Sequence, residues 1–262
     1  QPYAKICRGE HLRIPAGTSL SLLWDLKEYY CGYAHLETDL GADARIEFLW
    51  AESLFQEDKK TKGNRNEITG KLFYGFGDAF ITDGKPRVFE SYRWLSGRYV
   101  LLNITTGEED LVLTNIAVNE TRYPLENAGS FNCETKSFET LQTLCTRVMQ
   151  MCSHDSFMDC PYYEQLMYVG DTRLEMLTTY TMTRDDTLVR RCIDLFDYSR
   201  RTFGFVAEHF PSRQKQCSVT FSMIHTWLVH DYLYYRGDAE WLQNRIYGVR
   251  SSLDLLRPYV DE

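Results

Sequence analysis

The sequence predicts a chain of two modules, an antiparallel β-sandwich over residues 1–125 followed by α-helical hairpins over 126–262. Three observations carry that prediction. Short stretches rich in β-branched and aromatic residues recur through the first half with turn chemistry between them. Near Pro124 to Ser130 the character changes, and from Ser137 the apolar residues recur at helical spacing. A length of 262 residues, with 44% hydrophobic and 14% aromatic side chains, is enough for a sizeable core and for two domains.

Taken in order, the strand candidates are Ser19 to Asp25, Tyr33 to Asp39, Arg45 to Trp50, Asp78 to Thr82, Arg87 to Trp94, Tyr99 to Thr105 and Leu111 to Val118. Turns are marked at Leu40-Gly-Ala-Asp43, Asp83-Gly-Lys-Pro86 and Thr106-Gly-Glu-Glu109. Strands at this spacing imply a sandwich. The basic stretch Lys59 to Arg65 reads as a solvated hairpin loop, and Gly75-Phe-Gly77 as strand punctuation rather than a dinucleotide loop. Glu126 to Gly129 forms a linker. A first helix follows, with Phe138, Leu141, Cys145, Val148, Met149 and Cys152 on its apolar face. A second runs from Thr172 to about Thr183 with Leu174, Leu177 and Thr178 inward. The third begins after Asp186 and carries Leu188, Val189, Cys192, Leu195, Phe196 and Ser199 on one side. The fourth spans Val219 to Tyr235 and stops at Gly237, a glycine C-cap. A fifth runs from Ala239 through Trp241, Ile246, Val249 and Leu253 to Pro258. Short links between consecutive helices imply antiparallel hairpins.

Charge and composition exclude several classes. A net charge of −8 argues against a nucleic-acid or anionic-membrane partner. No apolar run approaches the roughly 20 residues of a membrane span. The first residues, Gln1 to Lys5, lack a signal peptide's apolar core, and the chain starts as if cut from something longer. Eight cysteines read as buried thiols rather than a disulfide framework, since Cys145, Cys152 and Cys192 fall on apolar stripes. His225 and His230 are five apart, which misses the step that puts two metal ligands on one helix face. Trp227, Trp241 and Tyr232 to Tyr235 are core candidates, and Glu208 and His209 are loop candidates for a site mouth.

The chemistry concentrates in thirteen residues, Asp159 to Asp171. Three carboxylates, three tyrosines, a proline and a glycine sit there between two helices. Pro161 and Gly170 argue for a loop that delivers Asp171 as the N-cap of a helix starting at Thr172, with Thr172 and Glu175 as a capping box if the start slips by one residue. On spacing alone, Glu164 reads as a solvated loop residue and Tyr162 and Tyr163 as loop packing or aromatic walls.

This segment resembles the signature of the inverting bacterial α-L-rhamnosidases, which opens Asp-Cys-Pro and closes with a glutamate seven residues before an aspartate. The resemblance places Glu164 on the family's general acid and Asp159 and Asp171 on its sugar-binding carboxylates. Tyr168 stands where the family has tryptophan. Tyr163 and Gln165 depart from the pattern, which leaves room for a six-hairpin glycosidase of other sugar specificity. The implied architecture is a β-sandwich before an (α/α)6 barrel of twelve helices, of which this chain supplies about five. The family's general base is a glutamate far downstream, and no residue here matches it. The implied partners are a rhamnosyl glycoside and the remainder of the catalytic domain, with no cofactor and no metal. The resemblance favours a periplasmic or secreted protein over a cytoplasmic one.

Such an acid must carry its proton near neutral pH. Charges at Asp159 and Asp171, and aromatic walls from Tyr162, Tyr163 and Tyr168, are expected to keep it protonated by repulsion and by exclusion of water. The flanking carboxylates are expected to accept hydrogen bonds from sugar hydroxyls while a tyrosine stacks on the ring. The competing reading from another class is a carbohydrate-binding or assembly module without turnover.

Overall fold

This computed structural model describes residues 9–260. The chain divides into two compact units, Gln1–Thr121 and Arg122–Glu262.

The first unit is a seven-stranded antiparallel sheet: β1 (Leu12–Ile14), β2 (Ser19–Leu40), β3 (Arg45–Ala51), β4 (Phe76–Ile81), β5 (Arg87–Glu90), β6 (Leu95–Thr105) and β7 (Leu111–Glu120). The order is β1-β7-β2-β6-β3-β4, with β5 set against β2. The two strands expected at Ser19 to Asp25 and Tyr33 to Asp39 are one strand of 22 residues. Its first part pairs with β6 from Ser19↔Thr105 to Asp25↔Tyr99, and its second with β7 from Gly32↔Glu120 to Leu40↔Leu111. Because β2 changes partner along its length, the seven strands are hydrogen-bonded into one continuous network. The register shifts between Asp25 and Tyr30, where Lys27 has φ 71°. Asp25 holds the irregular turn by accepting from the Lys27 N–H (2.8 Å) and from Arg98 Nε (2.9 Å) and Nη2 (3.2 Å). The Arg98 guanidinium holds the Asp25 carboxyl well below the usual carboxylate range.

Period-two alternation explains which residues are inside. Ile46, Phe48 and Trp50 of β3 are buried and meet Ile14, Leu36, Leu102 and Leu113 from strands near both ends of the order. The sheet is thus curled over one core. The basic stretch 59–65 lies in the connection between β3 and β4, tied at its base by the Phe55↔Leu72 pairing.

The second unit contains five helices, α1 (Lys136–Met151), α2 (Val169–Met182), α3 (Thr187–Phe203), α4 (Val219–Arg236) and α5 (Ala239–Leu256), and a 3-10 turn at Arg257–Tyr259. The stripe expected on α3 is the core stripe: Leu188, Val189, Cys192, Phe196 and Ser199 are buried. Gly237 caps α4 with φ 73°, its N–H donating to the Leu233 carbonyl. On the other helices the expected faces differ. Phe138, Leu141, Cys145 and Val148 of α1 are exposed, and only Met149 and Met151 on that helix are buried. Leu174 of α2 is exposed while Val169, Met176 and Tyr180 enter the core. Trp227 of α4 and Ile246 and Leu253 of α5 are exposed too, whereas Tyr232 and Leu242 are buried. Amphipathic pattern identifies an apolar face but not whether this stretch of chain covers it. The buried-thiol reading holds for Cys31, Cys152 and Cys192 and fails for Cys145, while Cys7 lies outside the described residues.

His225 is wholly buried on α4, and neither ring nitrogen has a hydrogen-bond partner. Burial holds its pKa down to about 4, from an ordinary 6.5. A depressed folded-state value means that the unfolded chain takes the proton first. Stability is therefore lost as pH falls from 6.5 through 4, by about 3 kcal/mol in total. His225→Leu should remove that part of the acid limb, read as denaturant midpoints at pH 7 and pH 4.5. Equal pH slopes in the two proteins would refute it.

Candidate active site

The segment 159–171 is an anchored loop that runs into a helix. After α1 the chain makes a small turn in which Ser153 bridges Phe157, and Phe157 is fully buried. The loop that follows is closed at its base twice: the Asp159 N–H donates to the Leu166 carbonyl, and the Leu166 N–H returns to Asp159 Oδ1, both at 3.0 Å. Inside that closure lie a turn over residues 161–164 and Gln165 at φ 54°. The Gln165 N–H donates to the Cys160 carbonyl (3.1 Å) and its side-chain amide to the Pro161 carbonyl (3.0 Å). The far side of the loop pairs antiparallel with residues 208–210. The Val169 N–H donates to the Glu208 carbonyl, the Phe210 N–H to the Met167 carbonyl, and Tyr168 bridges His209.

This anchoring brings Asp159, Glu164 and Tyr168 together. The Tyr168 hydroxyl donates to Glu164 Oε2 at 3.2 Å, and its ring meets His209 edge-on with centroids 5.0 Å apart. Burial and the neighbouring Glu164 carboxylate raise the Tyr168 pKa, which keeps the hydroxyl a donor. Ligand atoms of Asp159, Cys160 and Glu164 lie within 4.8 Å of one another, the one such grouping of potential cation donors among the described residues. Burial raises the Cys160 thiol pKa.

Several expectations are corrected. Glu164 is exposed and Tyr163 stands out in solvent, so aromatic walls do not seal this carboxyl within the chain. Asp171 is not an N-cap: α2 starts at Val169 with Tyr168 at the cap, and Asp171 lies in the first turn, exposed, where the helix dipole favours a negative charge. Gly170 is helical rather than a loop residue, and its lack of a side chain fits the close packing, since a Cβ there would stand 3.2 Å from two ring carbons of Phe221. Thr172 is fully buried instead of capping. Glu208 and His209 do adjoin the loop, but His209 is buried beneath Tyr168 rather than facing a mouth.

One residue of consequence escaped the sequence reading. Glu175, read only as half of a capping box, is half-buried, with its carboxyl Oε2 closed off from solvent. Burial first, then the negative charges of Asp171 and Asp159, push its pKa well above the ordinary value. A carboxylate one helical turn after Asp171 was the available signal.

Residues 126–261 match the family model described as the bacterial alpha-L-rhamnosidase 6 hairpin glycosidase domain. Among solved structures, the chain is similar to a GH78 family rhamnosidase of Bacillus sp. GL1, with 21% identity and a TM-score of 0.82 over 97% of this chain and 26% of that one. It is also similar to a rhamnosidase from Klebsiella oxytoca with rhamnose bound, at 17% identity and TM-score 0.77, over 95% of this chain and 50% of that one. An α-L-rhamnosidase from Dictyoglumus thermophilum is 16% identical with TM-score 0.68, over 94% of this chain and 28% of that one. These likenesses show the fold, and the chain spans half or less of the length of each of these three structures. No curated protein matches the chain.

Proposed function

Because the chain belongs to the bacterial α-L-rhamnosidase six-hairpin glycosidase family, as the match over residues 126–261 shows, we propose that it is a two-module share of an inverting α-L-rhamnosidase. Its sheet serves as a β-sandwich module, and its five helices begin an (α/α)6 barrel completed by further helices of the same protein. The exposed apolar residues of α1, α4 and α5 support this, since large apolar side chains gathered on helix faces favour being covered.

The observation that carries the reading is the Tyr168–Glu164 hydrogen bond beside Asp159, on a loop fixed at both ends. In the proposed reaction Glu164 donates its proton to the glycosidic oxygen as the bond to C1 breaks. A carboxylate from the later helices takes a proton from water, which attacks C1 from the opposite face. Inversion needs the two carboxyls about 6.5 to 9.5 Å apart, with room for that water. Tyr168 orients the acid. Asp159 and Asp171 accept hydrogen bonds from sugar hydroxyls, and aromatic faces suit the C6 methyl of a deoxyhexose. Glu164 is open to solvent here, so water must be excluded by the sugar and by the helices that complete the barrel.

The full-length protein should hydrolyse an aryl α-L-rhamnoside and release β-L-rhamnose first, followed by NMR of the anomeric proton. Release of the α-anomer would overturn the inverting mechanism. Hydrolysis of another aryl glycoside with none of the rhamnoside would move the reading to a different sugar, and sugar binding without turnover would leave a carbohydrate-binding module.

A further inference from the structure

Glu175 follows Asp171 by one turn of α2, so the two side chains share a helix face. Its Oε2 is closed off from solvent and has no hydrogen-bond partner. The titratable groups around it come from four places: Asp171 on its own helix, Asp159 in the loop, Cys152 at the end of α1 and Cys192 on α3. Burial pushes both thiols up to about 12, so they stay neutral at neutral pH, while the charges of Asp171 and Asp159 act on Glu175. The backbone N–H of Met158, the residue before Asp159, is its one stabilising neighbour as an anion. Glu175 therefore lies against both strands of the proposed sugar grip, the segment entering Asp159 and the helix carrying Asp171.

We infer that Glu175 is a positioning residue of this site: a buried acid wedged beneath Asp159 and Asp171 that couples their placement and charge. The inference rests on reading those aspartates as sugar-holding groups. With its proton on, Glu175 adds no charge beside the two aspartates. Once the proton leaves, a third negative charge stands in a dry pocket against the other two, and the grip loosens. Burial alone would make Glu175 a structural acid that the reaction does not feel; coupling makes activity follow its ionisation.

Glu175→Gln, neutral at every pH and nearly the same shape, separates these in the full-length protein. The expected result is an alkaline limb of kcat/KM displaced upward, with the variant keeping at least about threefold more of its optimal activity at pH 9 than the wild type. Stability gives a second reading. A raised folded-state pKa means that the contribution of Glu175 is fully present below its ordinary value of 4.5 and is lost as pH rises toward the folded one. The Tm of the variant relative to wild type should therefore climb between pH 5 and pH 9. Superimposable activity profiles overturn the proposal, even where the Tm difference climbs, because the acid would then be buried without touching the site. An inactive wild type would instead sink the hydrolase reading, and the Tm series would still report whether Glu175 carries a proton in the fold. Should Glu175→Gln fail to fold, Glu175→Met is judged by the same two criteria.

Discussion

Glu164→Gln in the full-length protein is expected to lower kcat on an unactivated aryl α-L-rhamnoside by about 10³-fold, within the range for loss of a general acid. The amide keeps the volume of the side chain and can still meet the Tyr168 hydroxyl, so the loop closed by Asp159 and Leu166 should stand. What it cannot do is release a proton to the departing oxygen. The loss must then depend on the leaving group. With a dinitrophenolate, which departs without protonation, the same variant should recover most of the wild-type rate. A loss of equal size on both substrates would mean that the substitution damages binding or folding, and Glu164 would not be the acid. Tyr168→Phe is the companion measurement, since it removes the 3.2 Å hydrogen bond that aims the carboxyl.

Legibility from sequence followed a physical boundary. Strands β3 and β7 were readable because alternation reports burial directly, and a sheet edge does not alter which face of Ile46-Glu-Phe-Leu-Trp50 is apolar. The length of β2 was not readable, because the irregularity between Asp25 and Tyr30 resembles a turn in sequence and is tied into the sheet by Arg98, 73 residues away. The stripe on α3 was legible for the same reason as β3. That on α1 misled: its apolar residues are real, but Phe138, Leu141 and Val148 stand exposed. At the site, Asp159, Glu164 and Tyr168 were singled out and lie together. Gly170 hid the start of α2, since a glycine chosen for contact with Phe221 looks the same as one chosen for a turn. Glu175 was missed because burial of a carboxylate has no one-dimensional signature, and its neighbours Met158 and Asp159 are brought there only by the fold.

Phe157→Ala tests the link between core and site, with an expected loss of about 4 kcal/mol in stability. Phe157 is wholly buried among the apolar residues of the helical unit, and the turn around it is tightly bound. Ser153 Oγ donates to the Met149 carbonyl (2.6 Å), the Met158 N–H to the Cys152 carbonyl (3.0 Å), and Arg191 Nε to the Asp155 carbonyl (2.6 Å). Those bonds hold the backbone in place, so it cannot collapse into the vacated space, and the cavity term should be near its full size. Against a typical domain stability of roughly 5 to 15 kcal/mol, that is a large share, read as a lower denaturant midpoint at constant m. The same ring sits two residues before Asp159, and a shift of about 1 Å in a positioned group can lower a rate by about 10²-fold. Activity of the folded variant should therefore fall as well, whereas Phe157→Leu, which refills most of the space, should cost under about 1.5 kcal/mol and keep turnover. Full activity in a destabilised Phe157→Ala would mean that the loop closure between Asp159 and Leu166 holds the site without help from the core, and that the anchoring runs from α2 and residues 208–210 alone.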